Sequence, residues 1–257
     1  MTLDIRSLTF SYDGKRNVLD DISLSFEEGQ FVVLLGRNGA GKTTLFRNLL
    51  GLLKADGGSV HVDGRDFLSM SVRERAGYMA YIPQESHPGF SYSVITSVLM
   101  GTTSSLSTLS CPGKKEMDRA YAALERFGLV PFAHRMVDSL SGGERQLVLC
   151  ARAIAQGSRI LLFDEPTSSL DWANQIRTLD TIRSLTREGY LAIVSTHNLE
   201  QALNWATRLV LLKGGRVHAD GTSGELACSC FLSSFYDMDI RVEKLEGHYV
   251  CIPQETV

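Results

Sequence analysis

Phe31-Val-Val-Leu-Leu-Gly-Arg-Asn-Gly-Ala-Gly-Lys-Thr43 decides the fold. The apolar run Phe31–Leu35 is far too short to cross a bilayer and reads as a strand buried inside a parallel sheet. It feeds Gly36-x-x-x-x-Gly41-Lys42-Thr43, after which Thr43–Leu50 reads as a helix. Strand, glycine loop and helix, in that order, form the context a phosphate-cradling loop requires. Glycines let backbone amides approach phosphate oxygens with no Cβ in the way. The helix N-terminus adds partial positive charge. Lys42 is placed to reach the β- and γ-phosphates, and the Thr43 hydroxyl suits Mg2+, a hard ion that takes oxygen ligands. Asn38, Gly39 and Thr44 belong to the same candidate cradle. The competing reading is a glycine-rich turn with an incidental lysine, which leaves the flanking strand and helix unexplained.

Outward from this loop, the pattern alternates. Upstream, Leu3, Ile5, Leu8 and Phe10 stand among polar neighbours, and Ile22-Ser-Leu-Ser-Phe26 alternates, so residues 1–30 read as antiparallel strands with a turn at Asp13-Gly14. Downstream, Gly57-Gly58 reads as a break before strand Ser59–Asp63, and Tyr78–Ile82 as a short strand ending at Pro83. Residues 88–150 change character. Ser93–Met100 is a helical patch and Gly101–Gly113 a Ser/Thr-rich loop. Lys114–Phe127 is a helix with Met117, Ala120, Tyr121, Leu124 and Phe127 at helical spacing, stopped by Gly128. Gly142–Gln156 is another helix. Strand Ile160–Phe163, helix Trp172–Arg187, strand Leu191–Ser195, helix Leu199–Ala206 and strand Arg208–Leu212 then succeed one another, with a hairpin from Gly214-Gly215. Alternating strands and helices mean an α/β core. The strand character of residues 231–257 is weak.

Bulk properties narrow the function classes. The 257 residues carry a net charge of −3, which argues against a nucleic-acid coat or an anionic membrane surface. No apolar stretch approaches the ~18 residues needed to span a bilayer, and residues 1–7 lack the pattern of a signal peptide. A membrane role therefore has to come through a partner. The cysteines at 111, 150, 228, 230 and 251 are odd in number and form no CxxC pair. Free thiols in a reducing compartment are the expectation. Cys228-Ser-Cys230 could hold a metal, but no His or second pair lies near it in sequence.

Two further motifs follow in order. Asp164 and Glu165 end the buried run Ile160–Phe163, so both carboxylates emerge at the strand's C-terminal edge, where α/β sheets bind ligands. Asp164 is read as part of a Mg2+ shell and Glu165 as the general base that polarises a water. A solvated strand end is the bland alternative, and the phosphate loop upstream weighs against it. Between the two lies Leu140-Ser-Gly-Gly-Glu-Arg-Gln146. Ser141-Gly142-Gly143 opens a helix and is itself an anion-binding terminus. It makes sense as a second phosphate grip, offered to a neighbouring copy.

Over roughly residues 1–225 the chain resembles the ATP-binding cassette (ABC) family. The resemblance implies a P-loop NTPase, RecA-like α/β fold with an antiparallel β subdomain and an inserted helical subdomain. It places the cassette at 1–227, with core 1–87 and 151–227, helical subdomain 88–150, and a short extension at 228–257. It implies ATP with Mg2+, and two subunits that sandwich two nucleotides head to tail. Tyr12 sits where an aromatic stacks on adenine. Gln84, after Tyr81-Ile-Pro83, sits where a glutamine contacts Mg2+ or water and senses the transport partner. Ser168-Ser-Leu-Asp171 resembles the loop that crosses the dimer interface, and His197 sits where a histidine touches the γ-phosphate. Taken singly, Tyr12 reads better as an ordinary strand aromatic, Gln84 as a surface loop residue and His197 as a satisfied core histidine; their joint order is what favours the site. Asn198, where the family often has an acid, and Leu147, where a basic residue is frequent, depart from the pattern without removing a catalytic group.

The resemblance further implies permease subunits as membrane partners, a substrate-binding protein indirectly, and a place on the cytoplasmic face of the membrane. The stretches Ser141–Gln156, Asp164–Gln175 and Asn198–Thr222, with Phe235–Ile240 and Val250–Pro253, look most similar to importer subunits for iron–siderophore, haem and cobalamin. The loop at 102–110 departs from that subgroup. A soluble, non-transport cassette ATPase and a regulatory module without turnover are the competing classes. The first lacks a coiled-coil insertion or tandem cassette here, and Glu165 and His197 count against the second.

Overall fold

The computed structural model describes residues 1–84, 92–105 and 111–254. Part of the Ser/Thr-rich loop (106–110), residues 88–91 of the helical insert and 255–257 of the extension lie outside the described residues. In chain order the elements are β1 (Thr2–Ser11), β2 (Asn17–Glu27), β3 (Phe31–Leu35), α1 (Lys42–Leu49), β4 (Gly57–Val62), β5 (Arg65–Asp66), α2 (Val72–Tyr78), β6 (Met79–Ile82), α3 (Val94–Leu99), α4 (Lys114–Arg126), α5 (Gly142–Gln156), β7 (Ile160–Asp164) and α6 (Trp172–Arg187). Then come β8 (Leu191–Thr196), α7 (Leu199–Trp205), β9 (Arg208–Lys213), β10 (Arg216–Gly221), α8 (Ser223–Leu226), α9 (Ser229–Tyr236), β11 (Ile240–Leu245) and β12 (His248–Pro253). Short 3-10 turns link several of them. No helix among the described residues is long and apolar enough to cross a membrane.

The chain divides into two compact units, Met1–Ser69 with Leu185–Val257, and Met70–Ser184. In the first, β2, β1, β4 and β5 form an antiparallel sheet in that order. β3 pairs in parallel with β8 on one side and β9 on the other, Leu35 standing opposite Thr196 and Leu211. That double flanking explains why every β3 residue is buried and why the run carries no polar alternation. β10 adds antiparallel to β9.

The second unit holds β6 and β7, paired in parallel with Ile82 opposite Phe163. Its helical part has a core of its own, in which Val98, Leu124, Val148 and Ala151 from α3, α4 and α5 are almost wholly buried. Burying one such Leu or Val stabilises by about 1.5–3 kcal/mol. α5 starts at a reciprocal cap. Glu144 N–H donates to Ser141 Oγ (3.3 Å), and Ser141 N–H donates to Glu144 Oε2 (2.8 Å). It ends at Gly157 in the left-handed region (φ 89°).

Four expectations need correction. Gly57-Gly58 does not break the chain: both lie in β4, and Gly58 (φ 87°) sits where a Cβ would meet the Arg6 and Ser7 carbonyls at 2.5 Å. Met117, read onto the buried face of its helix, is 37% exposed. Residues 240–253 are a true antiparallel hairpin, β11 with β12. Finally, Cys228 and Cys230 are joined as a disulfide, leaving Cys111, Cys150 and Cys251 as free thiols.

Candidate functional site

The phosphate loop lies in the first unit, between β3 and α1. Its glycines are demanded by neighbours. A Cβ at Gly36 would meet the Leu212 carbonyl at 2.8 Å, and one at Gly41 (φ 102°) the Val18 carbonyl at 2.9 Å. At Gly39 (φ 83°) nothing lies within 4 Å of the absent Cβ, so the loop is pressed against backbone at both ends and open at its middle. That is the shape of a cradle for an anion. Lys42 is buried, and its ammonium donates to the Gly36 carbonyl (2.6 Å). The same geometry curls the side chain back along the loop. Thr44 Oγ1 and the Tyr12 hydroxyl are 3.3 Å apart. Tyr12 is 59% exposed and braced edge-on by Phe10, with ring centroids 4.8 Å apart. An exposed, braced ring tied to the first turn of α1 fits a platform for a flat base. Asn38 is exposed and Thr43 partly buried.

His197 follows β8 directly and is exposed. Asn198 caps α7, accepting from Gln201 N–H (3.0 Å). An aspartate would cap equally well, so the departure at 198 keeps the local geometry.

The remaining residues belong to the second unit. Asp164 ends β7 almost fully buried, and the Tyr81 hydroxyl donates to its Oδ2 at 3.0 Å. Glu165 sits at φ 47°, a strained position for a residue with a Cβ. Gln84 donates through Nε2 to Ser168 Oγ (3.0 Å), which donates to the Glu165 carbonyl (3.0 Å). The glutamine is therefore tied to the backbone of the candidate base. The residues that follow it, 85–91, lie outside the described residues.

The signature packs against the 170–174 segment. A Cβ on Gly142 would meet Leu170 Cδ2 at 3.4 Å, and one on Gly143 would meet Asn174 Cγ at 2.9 Å. Asp171 caps α6, accepting from Asn174 N–H (2.9 Å) and from its side-chain amide (2.8 Å). Ser141 is exposed at the start of α5, with its hydroxyl engaged in the cap, and its bonds hold the Glu144 carboxyl below the usual range. Leu147 packs against the helical core.

In the first unit Thr43 offers a hydroxyl, and in the second Asp164 offers a carboxylate and Gln84 an amide, each an oxygen donor of the kind Mg2+ takes. Among the described residues no three His, Cys, Asp or Glu cluster in the manner of a dedicated metal cage.

The pattern of the ABC transporter family matches residues 19–168. The chain belongs to the ABC transporter ATP-binding family. An ABC transporter ATP-binding protein of Haemophilus influenzae is 42% identical over 82% of this chain and 80% of its own. A cobalamin import ATP-binding protein of Halobacterium salinarum is 38% identical over 94% of this chain, which spans 60% of that longer relative. An iron chelatin transport ATP-binding protein of Helicobacter pylori is 35% identical, covering 94% of this chain and 95% of that one. Among solved structures, a metal-chelate type ABC transporter in an inward-facing conformation superposes with a TM-score of 0.85 at 28% identity, over 99% of this chain and 98% of that one. A dimeric bacterial ABC transporter cassette superposes at 0.74 and 25% identity, over 86% and 98%. The cassette is thus a mixed α/β P-loop NTPase with an antiparallel sheet and a helical part, of an ATP-hydrolysing family.

Sequence reasoning placed Ser168 only in the interface loop and missed its bond to Gln84, and it gave no role to Tyr81 or Asn174. Tyr81 carries a legible signal, an in-register strand tyrosine just before the Pro83-Gln84 pair.

Proposed function

We propose that this ABC cassette is the Mg2+-dependent, ATP-hydrolysing subunit of an importer that takes up an iron chelate, haem or cobalamin. The observation that carries this reading is the end-to-end match, over 94% of the chain and 95% of the relative, with an iron chelatin transport protein. It works as a pair, docked through permease subunits to the cytoplasmic face of a membrane, with a substrate-binding protein acting on the far side.

Each residue has a task. Tyr12 stacks on adenine. Amides of residues 36–44, with Lys42, hold the phosphates. Thr43, Asp164 and Gln84 would hold Mg2+, which would supply positive charge to offset that of the phosphates. Glu165 takes the proton of the attacking water, and His197 orients the γ-phosphate. Ser141, Gly142 and Gly143 close the pocket of the opposite subunit, and Asp171 lies at that interface. ATP favours only the closed pair, so binding draws the partner-facing helical subdomain 88–150 together and hydrolysis lets it part.

The test is isolation of the complex in mild detergent. Recovery with a multi-span permease, and ATPase activity that rises when cargo-loaded binding protein is added, is the expected result. Recovery with soluble partners alone would favour a non-transport cassette.

A further inference from the structure

The extension, for which the sequence predicts only weak strand character, is tied at two places to other elements of the unit that holds the phosphate loop. On one side, the edge of β12 is satisfied by side chains of α7. Tyr249 N–H donates to Asn204 Oδ1 (2.8 Å), and Asn204 Nδ2 donates to the Tyr249 carbonyl (2.9 Å). One turn back, Cys251 N–H donates to Glu200 Oε1 (3.1 Å). Residues 200 and 204 share one helix face, and 249 and 251 share one strand edge. The helix thus serves as a third strand for a two-stranded sheet that has little stability alone. α7 begins two residues after His197.

On the other side, Lys213 at the end of β9 donates to the Ser234 carbonyl (2.9 Å) and pairs with Asp237 (2.6 Å), both at the end of α9. Lys213 follows Leu212, the residue whose carbonyl presses on Gly36. Asp237 feels Lys213 first, then Arg37 of the phosphate loop and His218, and its carboxyl is held below the usual range. Leu232 and Phe235 of α9 are buried. The extension therefore touches the neighbours of the phosphate loop and the neighbours of His197.

We infer that residues 229–253 are a clasp that positions the His197 turn against the phosphate loop, with Asn204 as the positioning residue that transmits its hold. Asn204 touches no substrate; it fixes α7, and α7 fixes the turn that presents His197. This rests on the reading of His197 as a γ-phosphate contact. It predicts that loosening the clasp slows hydrolysis while ATP still binds, and that nucleotide binding tightens the clasp in return.

The experiment uses the full chain with Asn204→Leu, which removes both bonds to Tyr249 and the amide's bond to the Glu200 carbonyl (2.9 Å), and Asn204→Asp, which keeps the acceptor for Tyr249 N–H. Turnover, ATP affinity and amide exchange by mass spectrometry are read together. Asn204→Leu is expected to lower kcat about tenfold or more, with ATP affinity within about threefold and Asn204→Asp restoring part of the loss. Exchange should quicken in 197–205 and 248–253 alike. In the unmodified chain, ATP should slow exchange at Tyr249 and Cys251, an arm that needs no variant to fold. The clasp is overturned if Asn204→Leu frees the hairpin but leaves kcat and the 197–205 amides unchanged, or if ATP leaves the hairpin's exchange untouched. Absence of turnover in the unmodified chain would instead strike the ATPase reading.

Discussion

The Tyr81 hydroxyl donates to Asp164 Oδ2 at 3.0 Å, linking the strand that leads to Gln84 with the carboxylate read as a Mg2+ ligand. A buried carboxylate keeps its orientation through such a donor, and losing a partner of this kind costs about 10–100-fold in metal affinity or activity. Tyr81→Phe is therefore expected to raise the Mg2+ concentration needed for half-maximal turnover about tenfold, with metal-free ATP binding unchanged. Titration of Mg2+ against activity, and of Mn2+ by its resonance spectrum, checks it. Superimposable metal curves would remove Tyr81 from the account.

Glu165 occupies positive φ in a residue that carries a Cβ, at a cost of about 1–3 kcal/mol. Removing the base should lower turnover by about 10²–10⁴. Glu165→Gln keeps the strain and should accumulate an ATP-bound dimer by size-exclusion chromatography. Glu165→Gly should be equally inactive yet melt higher, because it relieves the backbone. A lower melting point in the glycine variant would show that the turn is not strained.

Gly143 leaves no room for a methyl, since its Cβ would stand 2.9 Å from Asn174 Cγ. Asn174 cannot retreat freely, because its amide is bonded to Asp171. Gly143→Ala should cost about 1–3 kcal/mol of stability by overpacking and reduce ATP-dependent dimerisation. Thermal melts with and without ATP decide this. If Asn174→Ala in the same chain fails to restore stability, the clash is not the cause.

Burial pushes the Cys150 thiol up to about 12. The unfolded thiol ionises near 9, so between those values the unfolded chain binds fewer protons than the folded one. Stability from this group is full below pH 9 and falls as pH rises towards 12. Cys150→Ala should flatten that alkaline slope in denaturant titrations. At pH 8 a maleimide should modify exposed Cys111 and leave Cys150 untouched until the protein unfolds.

Much of this was written in the chain. β3, α5, β7 and α6 follow from uninterrupted apolar runs, caps and helical spacing, because each buries most of one face and leaves a periodic trace. α2 buries nothing, so it leaves none; its one signal is the Ser71…Glu74 cap, with Ser71 N–H donating to Glu74 Oε2 at 2.9 Å. The hairpin of the extension is half-exposed, and its signal is the turn at Glu246-Gly247, both at positive φ. Site residues that belong to motifs were legible. The partners of Tyr81, Ser168 and Asn204 were not, because they lie 83, 84 and 45 residues away, pairings that only the folded chain brings together.

Completion of one chain's nucleotide pocket by Ser141–Gly143 of another is the proposal on which the rest depends. Its most direct measurement mixes chains carrying Lys42→Ala with chains carrying Ser141→Arg, both also carrying Glu165→Gln so that ATP is held rather than split. Neither variant alone should trap ATP in a dimer. The mixture should form a dimer holding one ATP per two chains, because one intact loop meets one intact signature. If the mixture traps no ATP, or if Ser141→Arg chains trap it as well alone as in the mixture, the shared pocket is contradicted.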